Sequence, residues 1–213
     1  MIRQMKKFLL SVISKLPFVN TEKGTKCLDR RSALLFGCKV NNYGNNNHVL
    51  VRKDCILKDT MIEIHGSNNY IEIGDCTKAN HMHIFIEDNN NKVVIGRNNT
   101  FAGSIHLACT EGVEIEIGND CLFSSEIVIR TGDSHSIVDL NGKRINYAQN
   151  VIIGNHVWCG FRTMITKGVK LPSNCVVGTG ALVTKEFTDE HIVIAGVPAK
   201  IVRNNVDWLS KRI

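Results

Sequence analysis

The sequence predicts an all-β chain wound into a parallel β-helix, a triangular prism of short strands, and three observations predict it. Related segments recur every 22 residues: NNHVLVRKDC (46–55), NNYIEIGDC (68–76), NNKVVIGRNN (90–99) and GVEIEIGNDC (112–121). From residue 153 onward the period shortens to six, with Ile153, Cys159, Ile165, Leu171, Val177 and Val183 in one phase. In both stretches the apolar side chains hold fixed phases, so each column must point into one continuous core.

The chain opens on a short amphipathic element. Ile2, Met5, Phe8, Leu9, Val12, Ile13 and Leu16 fall at helical spacing, which predicts an amphipathic helix over residues 2–16. A secretory leader fits poorly, because Lys15 interrupts the apolar stretch and no small-x-small cleavage site follows. Two roles stay open for this helix: packing on its own protein or a neighbouring subunit, and peripheral contact with an anionic membrane. The expected organisation is then an N-terminal helical segment (1–20), a β-helix (21–203) carrying a loop at 130–150, and a C-terminal tail (204–213).

Within the 22-residue repeats, Val51, Ile73, Ile95 and Ile117 form one column, Val49, Ile71, Val93 and Ile115 a second, and Leu57, Ala79, Phe101 and Phe123 a third. Asn46, Asn68, Asn90 and Gly112 align as well, and these residue types tolerate the left-handed backbone of a tight corner. Gly74, Gly96 and Gly118 follow the core aliphatic, where the backbone must bend closely. In the six-residue stretch each inward aliphatic is followed four positions later by Val157, Thr163, Val169, Cys175 or Ala181. Six residues per side make a triangular coil whose backbone groups are satisfied by the coils above and below. The 22-residue coils are the same triangle with an extra four-residue excursion.

Composition narrows the function. The chain is 43% hydrophobic and 22% charged with a formal charge of +6, the profile of a globular protein without a 20-residue apolar span. Its cations are spread along the chain, denser at Arg3, Lys6, Lys7 and at Lys200, Arg203, Lys211, Arg212, and no nucleic-acid-binding motif accompanies them, so nucleic acid is not an expected partner. The eight cysteines form no CxxC pair, which points to reduced thiols and a cytoplasmic location, extended to the inner face of the membrane if the helix docks there.

The stretch IIGNHVWCGFRTMITKGVKLPSNCVVGTGALVTKEF (152–187) with IVIAGVPAKIVR (192–203) resembles the left-handed hexapeptide-repeat acyltransferases, specifically their sugar or polysaccharide O-acetyltransferase branch. The likeness is specific over about 117–203 and implies a left-handed coil, although parallel crossovers are normally right-handed. It implies acetyl-CoA as co-substrate, no metal, and a homotrimer whose active sites lie between subunits. The insertion 130–150 breaks the repeat phase and carries Asp133-Ser134-His135-Ser136-Ile137, where the resemblance puts the catalytic histidine. His135 is therefore the expected general base, with Asp133 or Asp139 as a candidate partner for its ring. For the cofactor, the resemblance implies Trp158 and Gly160 along the pantetheine groove, Thr179 and Thr184 as hydrogen-bonding groups, and Lys185, Lys200 and Arg203 at the phosphates. The sequence departs from the usual pattern at Cys159 and at Phe161, a bulky residue beside the groove.

The expected reaction is acetyl transfer from acetyl-CoA to a sugar hydroxyl of a bacterial-type surface glycan or its precursor, directly within a ternary complex. Rival readings are an N-acetyltransferase of amino sugars, a serine O-acetyltransferase and a non-enzymatic scaffold. The chain lacks the helical domain of the serine enzymes, and the insertion and basic C-terminal coils argue against a scaffold. A zinc site from His81, His83 and His106, as in β-helical carbonic anhydrases, is disfavoured because His106 lies 23 rather than 22 residues after His83.

Overall fold

A computed structural model describes residues 2–14 and 20–213. One helix, α1 (Ile2–Ile13), precedes the strands, and the predicted position of Leu16 on this helix lies outside the described residues. The strands stack into three sheets that form the faces of a left-handed prism. The first face has eight strands, from Thr21–Gly24 to Leu182–Val183; the second has seven, from Leu28–Arg30 to Lys170–Leu171; the third has nine, ending in Lys200–Asn204. Pairing is parallel throughout except for that last strand, which turns back antiparallel on Ile192–Ala195 and closes the C-terminal end of the third face.

The register follows the repeat. Val49 pairs with Ile71, Ile71 with Val93 and Val93 with Ile115, each one 22-residue coil apart. Ile117 then pairs with Ile153 across the insertion, and Ile153 with Leu171, 18 residues on. All the core columns read from the sequence are buried. The excursion of the wide coils falls on the first face, where Met61–His65, Met82–Glu87 and Ile105–Cys109 run five or six residues against two in Met164–Ile165. The prism is therefore broader over its earlier coils and leaves more outward side chains on that face.

Corners obey backbone sterics. Asn46, Asn68, Asn90 and Gly112 have φ of 53°, 59°, 62° and 70°, the left-handed region that asparagine and glycine occupy at least cost. A Cβ on Gly74 would lie 2.5 Å from the carbonyl carbon of Gly96 in the next coil, so that position excludes any side chain. Behind the first corner runs a buried amide ladder: the Asn69 N–H donates to Asn47 Oδ1 (2.8 Å), the Asn91 N–H to Asn69 Oδ1 (2.8 Å) and the Gly112 N–H to Asn91 Oδ1 (3.0 Å). The first two rungs each satisfy a buried donor that would otherwise cost roughly 1–3 kcal/mol.

Candidate functional site

After the strand Ile127–Arg130 the chain leaves the prism at the corner between first and second faces. The excursion closes at its neck, where the Gln149 N–H donates to the Thr131 carbonyl (2.9 Å). Its outer part is a hairpin: the Ile145 N–H donates to Ile137 O (2.9 Å) and the Asp139 N–H to Lys143 O (2.8 Å). Asp139 Oδ1 accepts the N–H groups of Asn141 and Lys143, which stabilises the hairpin tip. Ile137, Val138, Leu140, Ile145 and Tyr147 are all exposed on it.

His135 sits at the base of this hairpin with its main chain fixed. The buried Asn146 donates from Nδ2 to His135 O (2.8 Å) and to Asp133 Oδ2 (2.9 Å), and accepts the Ile137 N–H at Oδ1 (2.7 Å). Lys167, from the next coil, donates to Asp133 and to Asn146 O. Arg130 donates to Ser134 Oγ (2.7 Å). The imidazole itself is exposed and makes no hydrogen bond among the described residues. A rigid backbone with a free ring is what a base awaiting an outside hydroxyl requires.

The expected carboxylate partners are corrected by this geometry. Asp139 is committed to the hairpin tip, and Asp133 to Lys167 and Asn146. Between Asp133 and His135, Ser134 takes the left-handed region with φ of 65°. The Lys167 ammonium, followed by the Asn146 amide, holds the Asp133 carboxyl below its ordinary value. A lowered carboxylate pKa stabilises the folded loop above the usual range near 3.9, and this contribution is lost as pH falls through the folded value. Lys167→Met is accordingly expected to lower kcat roughly 10- to 100-fold by loosening the loop. Lys167→Arg should restore most of the rate and keep the acid-side sensitivity that the ion pair confers, whereas Lys167→Met should lose that sensitivity, both readable in a pH–rate profile.

The cofactor candidates lie elsewhere on the prism. Trp158 projects half-exposed from the third face, and Gly160 follows at the corner between third and first faces. Thr179 stacks one coil beyond, where a Cβ on Gly160 would meet its nitrogen at 2.8 Å. Phe161 is capped by the Arg162 guanidinium, 4.9 Å from the ring centroid. Thr184 and Lys185 are exposed after the last first-face strand, and Lys200 and Arg203 lie on the terminal antiparallel strand. Lys185, Phe187, Lys200 and Ile201 line one cleft of about 410 Å³. Trp158, Gly160 and Thr179 thus form a strip, Lys185 and Lys200 share a cleft, and His135 stands at the opposite edge of the first face from Gly160 and Thr179.

The first face carries features that the spacing did not reveal. Register places Met61, His83, His106, Val128, Met164 and Leu182 in one outward column. Glu63, Phe85, Ala108 and Arg130 form the next. The 23-residue interval lets His83 and His106 pair directly, their Nδ1 atoms 3.2 Å apart. Burial, then the neighbouring His83 and Arg130, hold the His106 imidazole below its ordinary pKa. Tyr43 stacks on His65 at 4.7 Å, and His65 meets Phe85 at 5.6 Å. His83 Nε2 and Arg130 Nε are buried without a hydrogen-bond partner among the described residues. Among the described residues no group of three His, Cys, Asp or Glu side chains is disposed to hold a metal.

Sequence reasoning also missed Trp208, assigned to the tail. It is buried against the third face, donates from Nε1 to His156 O (2.9 Å), stacks on the His156 ring at 4.3 Å and reaches Trp158 at 6.1 Å.

No family model matches the chain. It is 37% identical over 166 residues to a polysialic acid O-acetyltransferase of Neisseria meningitidis, covering 78% of this chain and 76% of that protein. The chain belongs to the hexapeptide-repeat O-acetyltransferases. Another member, the polysialic acid O-acetyltransferase of Escherichia coli O1:K1 / APEC, is 34% identical over 118 residues, which span 55% of this chain and 38% of that protein's length. The crystal structure of the polySia-specific acetyltransferase NeuO superimposes with a TM-score of 0.81 at 29% identity, covering 92% of this chain and 85% of that one. Membership makes the chain an acyltransferase on a left-handed β-helix.

Proposed function

We propose that this acyltransferase moves the acetyl group of acetyl-CoA to a hydroxyl of a surface glycan, an acidic polymer of the kind its polysialic acid relatives are named for, with His135 as general base. The observation that carries this is the His135 loop: main chain pinned by Asn146 and Lys167, the Ser134 hydroxyl held by Arg130, imidazole exposed, in a chain related over 78% of its length to a glycan O-acetyltransferase. His135 takes the acceptor proton as the hydroxyl oxygen attacks the thioester carbon. The C–S bond then breaks, the ester forms, and the proton leaves with the CoA thiolate. No acyl-enzyme is required.

Within one chain the base and the Trp158–Gly160–Thr179 strip stand on opposite edges of the first face. A C3 trimer, in which His135 of one subunit faces the strip of the next, resolves this separation and covers the apolar hairpin. The strip gives the pantetheine arm exposed backbone at Gly160, and Lys185, Lys200 and Arg203 supply cations for the phosphates. Trp208 holds Trp158 in place from behind. The acceptor lies along the first face, where His83 and Phe85 offer ring faces to sugars and Arg130 a guanidinium to carboxylates. His83→Ala is expected to raise the acceptor KM about tenfold while leaving acetyl-CoA binding intact, and Arg130→Gln to do the same while also lowering kcat through its lost bond to Ser134, measured by steady-state kinetics and calorimetry. Acetyl-CoA places the reaction in the cytoplasm.

The test follows thiol release from acetyl-CoA with polysialic acid, neutral polysaccharides, amino sugars and serine. Release with a glycan, giving a base-labile ester, supports the reading. A base-stable amide product would move the chain to the N-acetyltransferases, release with serine alone to the serine enzymes, and failure to bind CoA would leave a non-enzymatic scaffold.

A further inference from the structure

The apolar side of α1 is turned to solvent. Met5, Phe8, Leu9 and Val12 fall on one arc of the helix and are 67%, 71%, 59% and 45% exposed. Globular chains rarely leave such a contiguous apolar stripe uncovered. The helix sequence contains Arg3, Lys6 and Lys7 and no acidic residue.

The helix is held in this orientation by its carboxyl end. Ser14 O accepts from Arg30 Nη1 (2.8 Å) and Asn20 Nδ2 (2.8 Å), and the same Asn20 amide donates to Leu35 O (2.8 Å) in the first coil. A cation at a helix carboxyl terminus is electrostatically favoured as well as hydrogen-bonded. At twelve residues, α1 is about 18 Å long, well short of a bilayer core. No helix among the described residues is long and apolar enough to span a membrane.

We propose that α1 is an interfacial anchor that seats the enzyme on an anionic lipid surface, its Met5–Phe8–Leu9–Val12 stripe among the acyl chains and its net positive charge drawn to the headgroups. An exposed apolar stripe on a helix that carries cations and no acids complements phosphate headgroups above hydrocarbon. The helix meets the third face near Leu34 and Ile56, four coil spacings below the strand Leu122–Phe123 that precedes the His135 loop. At ~4.8 Å per coil, the loop stands roughly 20 Å along the prism from the anchor, within reach of a glycan rooted in or growing from that surface. The proposal does not depend on the acetyl-transfer reading.

Co-sedimentation of the full chain with vesicles tests it. The native chain is expected to bind phosphatidylcholine vesicles containing phosphatidylglycerol, to bind pure phosphatidylcholine far less, and to be released by salt. Phe8→Glu with Leu9→Glu should cut the bound fraction about tenfold or more. Lys6→Glu with Lys7→Glu should weaken partition roughly fivefold per residue. Melting temperature and oligomeric mass by light scattering should stay native in both. Absence of binding to anionic vesicles, or native-like binding by Phe8→Glu/Leu9→Glu, overturns the anchor. A change in oligomeric mass in that variant also overturns it and assigns the stripe to a second copy.

Discussion

His135→Ala is expected to lower kcat by roughly 10²–10⁴-fold, the range that loss of a positioned general base produces. The KM for acetyl-CoA should change little, because the imidazole meets the acceptor hydroxyl rather than the cofactor. The fold should not change either, since the exposed ring makes no hydrogen bond among the described residues and the loop is held through main-chain atoms. His106→Ala supplies the control. Its imidazole lies one strand from Arg130 and is held below its ordinary pKa by burial, then by His83 and Arg130, so it is a second histidine near the loop. It differs from His135 in being paired with His83 and packed on the wall of the prism. If His106→Ala loses the rate while His135→Ala keeps it, the base has been assigned to the wrong ring. If both lose only acceptor affinity, proton transfer goes to solvent and the loop serves binding.

The framework of this molecule was legible because period and phase are one-dimensional quantities. Ile73, Ile95 and Ile117 share a phase, and a shared phase in a coil means a shared column. What one residue does beside another is less visible. The Asn-Asn pairs at 46–47, 68–69 and 90–91 were read as corners through their first member, while the second builds the buried ladder. The sequence marks the pair, but only the left-handed φ of the first asparagine determines that the second turns inward.

The base was readable from its motif, but its surroundings were not. Proximity in sequence made Asp133 look like a partner, but its carboxylate is taken by Lys167 and Asn146. Lys167 comes from 34 residues away and looks like any solvated lysine after a hexapeptide strand. It is adjacent only because the insertion returns the chain to register 36 residues after Ile117. Trp208 lies beyond the repeats, where no periodicity indicates which face it covers. The first-face pairing of His83 with His106 depended on the one-residue slip that had counted against a shared role.

Phe123→Ala is expected to cost about 3–5 kcal/mol of folding free energy, the range for emptying a buried aromatic site. Phe123 is fully buried and stacks on Phe101 with centroids 4.8 Å apart and planes 14° from parallel. Its other neighbour in the column is Cys159, and Phe101 rests in turn on Ala79, so the two rings fill a stretch bounded by small residues at both ends. Neither small neighbour has atoms to move into the void, and the stacked backbones fix the coil spacing, so the cavity persists. In a solenoid, stability is close to a sum of coil and nearest-neighbour terms, which makes the damage local at first. The weakened coil carries Ile127–Arg130, the strand that supports Ser134 and the neck of the His135 loop. Thermal unfolding should therefore fall by roughly 6–20 °C, and hydrogen exchange should rise first around residues 122–131. Phe101→Leu, which keeps most of the volume, should cost less than half as much. A loss under about 1 kcal/mol for Phe123→Ala would mean that neighbouring side chains collapse into the space. That outcome would show a core more plastic than its stacked columns imply, and a loop neck that does not depend on Phe123.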